Sequence, residues 1–268
     1  MNTFIEMFSY SFMVRALVVG VLISLSASLV GVPLVLRNKS MLGDGLSHVA
    51  FSAFALASVL DVFPLWFTVL IVIIASFFVL RIDKNKKNNG DVAIAVLSVT
   101  SLAIGTMVIS VFKGVNIDLN SYLFGSVLSV GWGEVWLSLI LAVVVVLIYV
   151  FSYHRIFAIT FDEEFTRAIG INTRKYETVL AIICSVVVVL GMRLLGALLI
   201  SGLIVFPTLI ASQFSKSFKR VVVFSALISV INFIVGLVIS YLFALPTGST
   251  VIVVNFVILF VSKILKKA

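Results

Sequence analysis

Cysteine is nearly absent. Cys184 stands alone in 268 residues, so the chain closes no internal disulfide and builds no cysteine metal cage. Placed in an apolar run, it reads as a small buried hydrophobe. Histidine is almost as scarce, with only His48 and His154. There is no His-Glu-x-x-His run, no G-x-S-x-G elbow and no Walker A sequence. Those gaps argue against an intramembrane metalloprotease, a serine hydrolase of that type and a nucleotide-hydrolysing P-loop within this chain. Charge is the third shortage: 11% of residues are Asp, Glu, Lys or Arg, against about 25% in soluble domains. The first residues lack a basic n-region, so the expectation is no cleavable signal peptide and a retained first helix.

What fills the space is hydrophobic, 62% of the chain, in continuous rather than alternating runs. Continuous runs argue for helices and against a transmembrane barrel. The fold class expected is all-α: a polytopic transmembrane helical bundle, one permease-like domain over 1–268. A span needs about twenty apolar residues, and charged residues delimit nine candidates, with eight or ten also admissible. They run between Arg15 and Arg37, Met41 and Leu60, Val62 and Leu80, Asp91 and Lys113, Glu134 and Tyr153, Glu177 and Met192, and Leu194 and Phe214. The long uncharged run from Val221 to Ser262 is split into two by Leu245-Pro246-Thr247-Gly248-Ser249, a turn signal. The Gly- and Ser-rich stretch from Asn120 to Gly131 is too short to span and reads as a re-entrant or outer-side helix.

The net charge of +8 is explained by topology, with no nucleic acid implied. With the N-terminus outside and the C-terminus inside, sixteen of the nineteen basic residues fall on one side, and only Arg15, Lys113 and Arg193 on the other. That is the positive-inside pattern of a multi-pass membrane protein.

Against this background Asp44 and His48 stand out. They lie four residues apart in Met41-Leu42-Gly43-Asp44-Gly45-Leu46-Ser47-His48, one helical turn from each other on one face. By counting they fall in the cytoplasmic half of the second span. A carboxylate in hydrocarbon costs about 2.5–3.5 kcal/mol on insertion scales. Carboxylate oxygen and neutral imidazole nitrogen both ligate divalent transition metals, so the pair reads as a metal site on a permeation path. The plainer alternative is a polar pair at a helix start, with Asp44 favoured by the helix dipole. Two ligands are too few for a closed structural site, which suits an ion that must leave again. A two-fold dimer with these helices at its axis would bring two of each together.

Two helix interruptions are expected, at Gly31-Val32-Pro33 and at Pro207-Thr208, because proline removes a backbone hydrogen bond. Such breaks often line transport paths, with an ordinary packing kink as the alternative. The longest polar stretch, 154–176, is expected to be cytoplasmic. Within it Asp162, Glu163, Glu164, Phe165, Thr166, Arg167, Ala168, Ile169 and Gly170 form a short amphipathic helix. Thr160 or Asp162 would cap it, acids fill its first turn and Gly170 ends it. Its acidic start suits a protein partner better than anionic lipid.

Together these pieces resemble the ABC-3 family, the permease subunits of bacterial zinc, manganese and iron ABC importers. The likeness covers nearly the whole chain. Met41 to His48 is similar to the family's Met-x-Gly-Asp-x-x-Ser-His signature. Phe161-Asp162-Glu163-Glu164 with Ala168-Ile169-Gly170 is similar to its coupling segment. Gly196 to Leu199, through Pro207-Thr208, resembles its Gly-x-x-Leu-proline helix, and Gly248-Ser249-Thr250 its turn before the last span. Two departures stand: no proline follows His48, and Phe206-Pro207-Thr208-Leu209 replaces a proline-alanine-alanine run.

The resemblance implies a type II-like importer in the bacterial cell membrane. Two copies of the permease pair around a path. Cytoplasmic ATP-binding cassette subunits hydrolyse ATP and act on Asp162–Gly170, and an extracellular metal-binding protein delivers the ion. The cargo implied is zinc or manganese, bound in transit by Asp44 and His48. The permease itself is not an enzyme. A different class stays open on the residues alone: a secondary transporter driven by an ion gradient, with Asp44 as its proton site. A membrane scaffold or receptor without transport is the third.

Overall fold

The computed structural model describes residues 9–83, 90–112, 123–125 and 130–266. Among these the chain is helical throughout, without strands. Ten helices follow in order: α1 (Ser11–Leu36), α2 (Met41–Val59), α3 (Pro64–Asp83), α4 (Gly90–Val111), α5 (Trp132–Phe161), α6 (Glu163–Ala168), α7 (Thr173–Leu195), α8 (Ala197–Phe214), α9 (Phe218–Phe243) and α10 (Thr247–Leu265). Eight of them are long and apolar enough to cross a membrane, and α3 adds a shorter apolar run over Pro64–Val79. Of the Asn120–Gly131 segment, only 123–125 and 130–131 are described; the re-entrant helix expected there otherwise lies outside the described residues.

α1 is the hub, packing on α5, α7, α8 and α9, while α2 lies against α3, α4, α7 and α8. α1 is apolar on all sides, as a helix surrounded by others must be; Val19, Ile23, Ala27 and Val32 are fully buried. Lipid tails offer no hydrophobic drive for helices to associate, so close packing and interhelical hydrogen bonds carry that role. The bonds form a polar seam around α9. The Ser229 hydroxyl donates to the Ser24 carbonyl at 2.9 Å, Asn232 Nδ2 donates to Asn255 Oδ1 at 2.9 Å, and the Thr208 and Ser225 hydroxyls lie 3.2 Å apart. α9 is thereby tied to α1, α10 and α8.

Several expected boundaries move. Pro33 and Pro207 both lie inside continuous helices, so neither interrupts its span. In a transmembrane helix the carbonyl that proline frees is satisfied locally, and the turn continues. Both prolines are buried. The fifth span does not end at Tyr153: α5 runs on through His154 and Arg155 to Phe161. Tyr153, Phe157 and Phe161 stack on Phe218 of α9, with ring centroids 5.6, 5.3 and 6.1 Å away. That packing holds the last turns helical. α7 likewise begins at Thr173, with the Asn172 side chain accepting from the Lys175 N–H.

The turn between α7 and α8 falls at Gly196 rather than at Arg193. It is a single residue with φ 95° and ψ 153°, a conformation that only glycine adopts without strain. Arg193 belongs to the last turn of α7 and pairs at 3.7 Å with Glu134 of α5. Three glycines meet at this end. A Cβ on Gly196 would lie 2.5 Å from the Gly125 nitrogen, one on Gly248 would lie 2.8 Å from the Phe124 carbonyl oxygen, and one on Gly125 would strike the Leu195 carbonyl. Replacing Gly196 by Ala is expected to cost about 1–3 kcal/mol in backbone strain alone, with the collision against Gly125 added. Gly133→Ala, which meets nothing within 4 Å, should leave stability unchanged. Thermal unfolding of the two variants in the same detergent checks this.

Candidate metal-binding pair and its connection to the basic end

Four residues separate α1 from α2, and backbone hydrogen bonds hold the turn they form. Asn38 is left-handed (φ 58°). The amide of Asn38 donates to Val35, that of Lys39 to Leu34 and that of Leu42 to Lys39, at 2.8–3.1 Å. Asp44 follows in the first turn of α2, where the helix dipole favours a carboxylate. α2 is gripped on two sides through glycines. A Cβ on Gly43 would come within 2.7 Å of Ile204 Cδ1 on α8, and one on Gly45 within 2.7 Å of Ile94 Cγ2 on α4. Asp44 and His48 occupy the remaining face.

On that face His48 Nε2 lies 3.8 Å from Asp44 Oδ2, and the two side chains are 19% and 46% exposed. This is too long for a hydrogen bond. It is within the reach of two metal–ligand bonds of about 2.0–2.2 Å meeting on one ion. His48 Nδ1 is buried with no hydrogen-bond partner among the described residues. The Ser47 hydroxyl donates to the Asp44 backbone carbonyl at 2.7 Å. Among the described residues no group of three or more His, Cys, Asp and Glu gathers here or elsewhere.

The expected amphipathic segment forms as α6. Asp162 caps it, its Oδ1 accepting the Phe165 N–H at 2.8 Å, and left-handed Gly170 (φ 87°) ends it. Phe165 and Ile169 are 62% and 57% exposed, and Glu164, Arg167 and Ala168 are exposed too. Glu163 differs from its neighbours. Arg37, at the C-cap of α1, donates through Nη2 to Glu163 Oε2 at 2.6 Å and to Glu177 Oε1 of α7 at 2.9 Å. Arg167 closes the cluster by donating to Glu163 Oε1 at 2.6 Å.

The model of the ABC 3 transport family matches residues 9–266. The chain belongs to the ABC 3 transport family. This family member is 26% identical to the high-affinity zinc uptake system membrane protein ZnuB of Haemophilus influenzae, covering 94% of this chain and 96% of that one. It is 28% identical to the manganese import system permease protein ScaB of Streptococcus gordonii, covering 94% and 91%. Its fold is similar to the structure of PsaBC from Streptococcus pneumoniae in complex with Fab, with a TM-score of 0.86, 24% identity, and coverage of 97% and 94%.

Within this ABC 3 transport family chain the residues expected to act together fall into two groups. Asp44 and His48 are neighbours, as their spacing predicts. The 162–170 segment lies at the α5–α7 junction and reaches α1 through Glu163. Pro207 and Thr208 are buried on α8, with the Thr208 hydroxyl beside Ser225. Pro33 borders a small cavity with Arg37 and Glu177. Sequence reasoning used Arg37 and Glu177 only as span boundaries and missed that they meet. The available signal was a glutamate at the edge of one apolar run facing an arginine at the edge of another. Ile204 carried no signal at all. A Cβ on Gly31 would collide with the Ile204 carbonyl oxygen, so Gly31→Ala must push α1 off α8. The expected loss is about 1–3 kcal/mol, the usual cost of overpacking, read as a lower unfolding temperature in detergent.

Proposed function

We propose that the chain is the membrane-spanning permease subunit of an ABC importer that carries a divalent transition metal ion, zinc or manganese, into the cell. The observation that carries this reading is the Asp44–His48 pair, 3.8 Å apart on the partly open face of α2, in a family whose zinc- and manganese-named members match this chain from end to end. Carboxylate and imidazole together accept either ion, and affinity order alone does not choose between them. Two protein ligands hold an ion loosely enough for it to leave. A second copy of the chain, packed on the open face of α2, would supply the remaining ligands. ATP is hydrolysed by a cytoplasmic cassette subunit seated on the exposed face of α6, around Phe165 and Ile169. An extracellular metal-binding protein presents the ion at the opposite end. On this reading the N-terminus is outside and the C-terminus in the cytoplasm of the bacterial cell, an orientation that the basic clusters support.

Asp44→Ala and His48→Ala are each expected to lower accumulation of Mn²⁺ and Zn²⁺ by about tenfold or more, since each removes half of the first coordination shell. The amount of protein in the membrane should stay the same. Uptake assays on cells expressing each variant, with membrane levels measured alongside, test this. Wild-type uptake by both variants would sink the site. Gradient-driven uptake by the purified chain alone, without an ATPase, would sink the importer.

A further inference from the structure

The ion cluster at the basic end joins three helices. Glu163 is on α6, Glu177 on α7 and Arg37 at the C-cap of α1. The Arg37 side chain is 12% exposed and that of Glu177 only 5%, so this half of the cluster is a buried pair whose partners cannot be separated cheaply. Glu163 is the more open half, 24% exposed, and sits on a six-residue helix whose outer face is otherwise uncovered. One Nη2 serves both carboxylates. Letting go of Glu163 still leaves Arg37 bonded to Glu177, and Glu163 keeps Arg167.

We propose that Arg37 is a positioning residue that ties α6 to the metal helix α2, so that displacement of α6 moves Asp44 and His48. The proposal rests on the reading of the chain as a metal-importer permease and adds the element that carries the ATPase stroke. Arg37 is followed directly by the hydrogen-bonded turn Asn38–Ser40 and by α2, and that turn has little freedom to absorb motion. A cavity of about 20 Å³ bounded by Pro33, Leu34, Arg37, Leu42 and Glu177 leaves room beside the guanidinium for a small shift. The two states are Arg37 bonded to both glutamates and Arg37 bonded to Glu177 alone. Coupling through such an element needs no continuous wire, only an equilibrium that both ends bias. On this view Glu163 faces into the permease, and the ATPase contacts fall to its neighbours on α6.

The test compares wild type, Glu163→Gln, Glu177→Gln and the charge-conserving variant Glu163→Asp. Amide hydrogen exchange of the full chain in lipid nanodiscs is the first readout. In Glu163→Gln, exchange should rise about fivefold over 162–170 and about twofold over 38–48, while Glu163→Asp, which keeps the carboxylate, should lie closer to wild type in both segments. The second readout is the full complex with its ATPase and binding protein in proteoliposomes, using radiolabelled Mn²⁺ and Zn²⁺. Glu163→Gln should lose about tenfold in uptake with ATP hydrolysis unchanged within about twofold, and Glu163→Asp should retain about a third of uptake. Glu177→Gln should instead lower thermal stability, because it strips the buried half of the pair. A rise in exchange confined to 162–170, no rise at all, or parallel loss of hydrolysis and uptake would overturn the proposal. If wild type carries neither ion, the metal reading has failed, and the exchange pattern alone then decides whether Arg37 links the two helices.

Discussion

Ile204 occupies the place where two helices lack a side chain. Its carbonyl lies against Gly31 of α1 and its δ-carbon against Gly43 of α2. In lipid, where apolar surface gains little by pairing, such close approach is what holds helices together. It also fixes the spacing of α1, α2 and α8 at the level of the first turn of α2. With Gly45 seated on Ile94 from the other side, α2 has only one face left free. The two residues able to bind an ion are on that face. Their partial exposure is therefore a result of how tightly the other two faces are closed.

The polar groups of the bundle are few and sorted by depth. Within the spans the bonded ones are neutral, as with Asn232 and Asn255 or Ser229 and the Ser24 carbonyl, while the Tyr149 hydroxyl and His48 Nδ1 are buried without a partner among the described residues. Charges sit at the ends, where Arg193 meets Glu134 and Arg37 meets two glutamates. Buried ion pairs are weak contributors to stability and are better understood as devices that specify one arrangement. Here the arrangement specified is the relation of α6 and α7 to the end of α1.

The sequence was most legible where charge and apolar length agree. The start of α2 at Met41 and the α9–α10 turn at Leu245-Pro246 were both readable from composition, and the family signature pointed to Asp44 and His48 without any structure. It was least legible where a local signal competes with packing. Arg193 looked like a span boundary, yet a basic residue suits the C-terminal turn of a helix and has Glu134 to meet. His154 and Arg155 looked like the start of the polar stretch after the fifth span, yet packing on Phe218 keeps α5 going. Pro33 and Pro207 looked like breaks, yet their helices continue around them. The Arg37–Glu163–Glu177 cluster joins positions far apart in the chain, and no periodicity carries that information.

The meeting of Gly125, Gly196 and Gly248 has a consequence for how the molecule is made. In the segment Leu123–Gly125, Gly125 precedes Gly196 by 71 residues and Gly248 by 123, because its seat is built from the α7–α8 turn and the start of α10. As the chain is synthesised from its N-terminus, the segment emerges before any part of the surface it rests on. It reaches its final position only when the last hairpin is in the bilayer, so closure of this end is a late event in assembly.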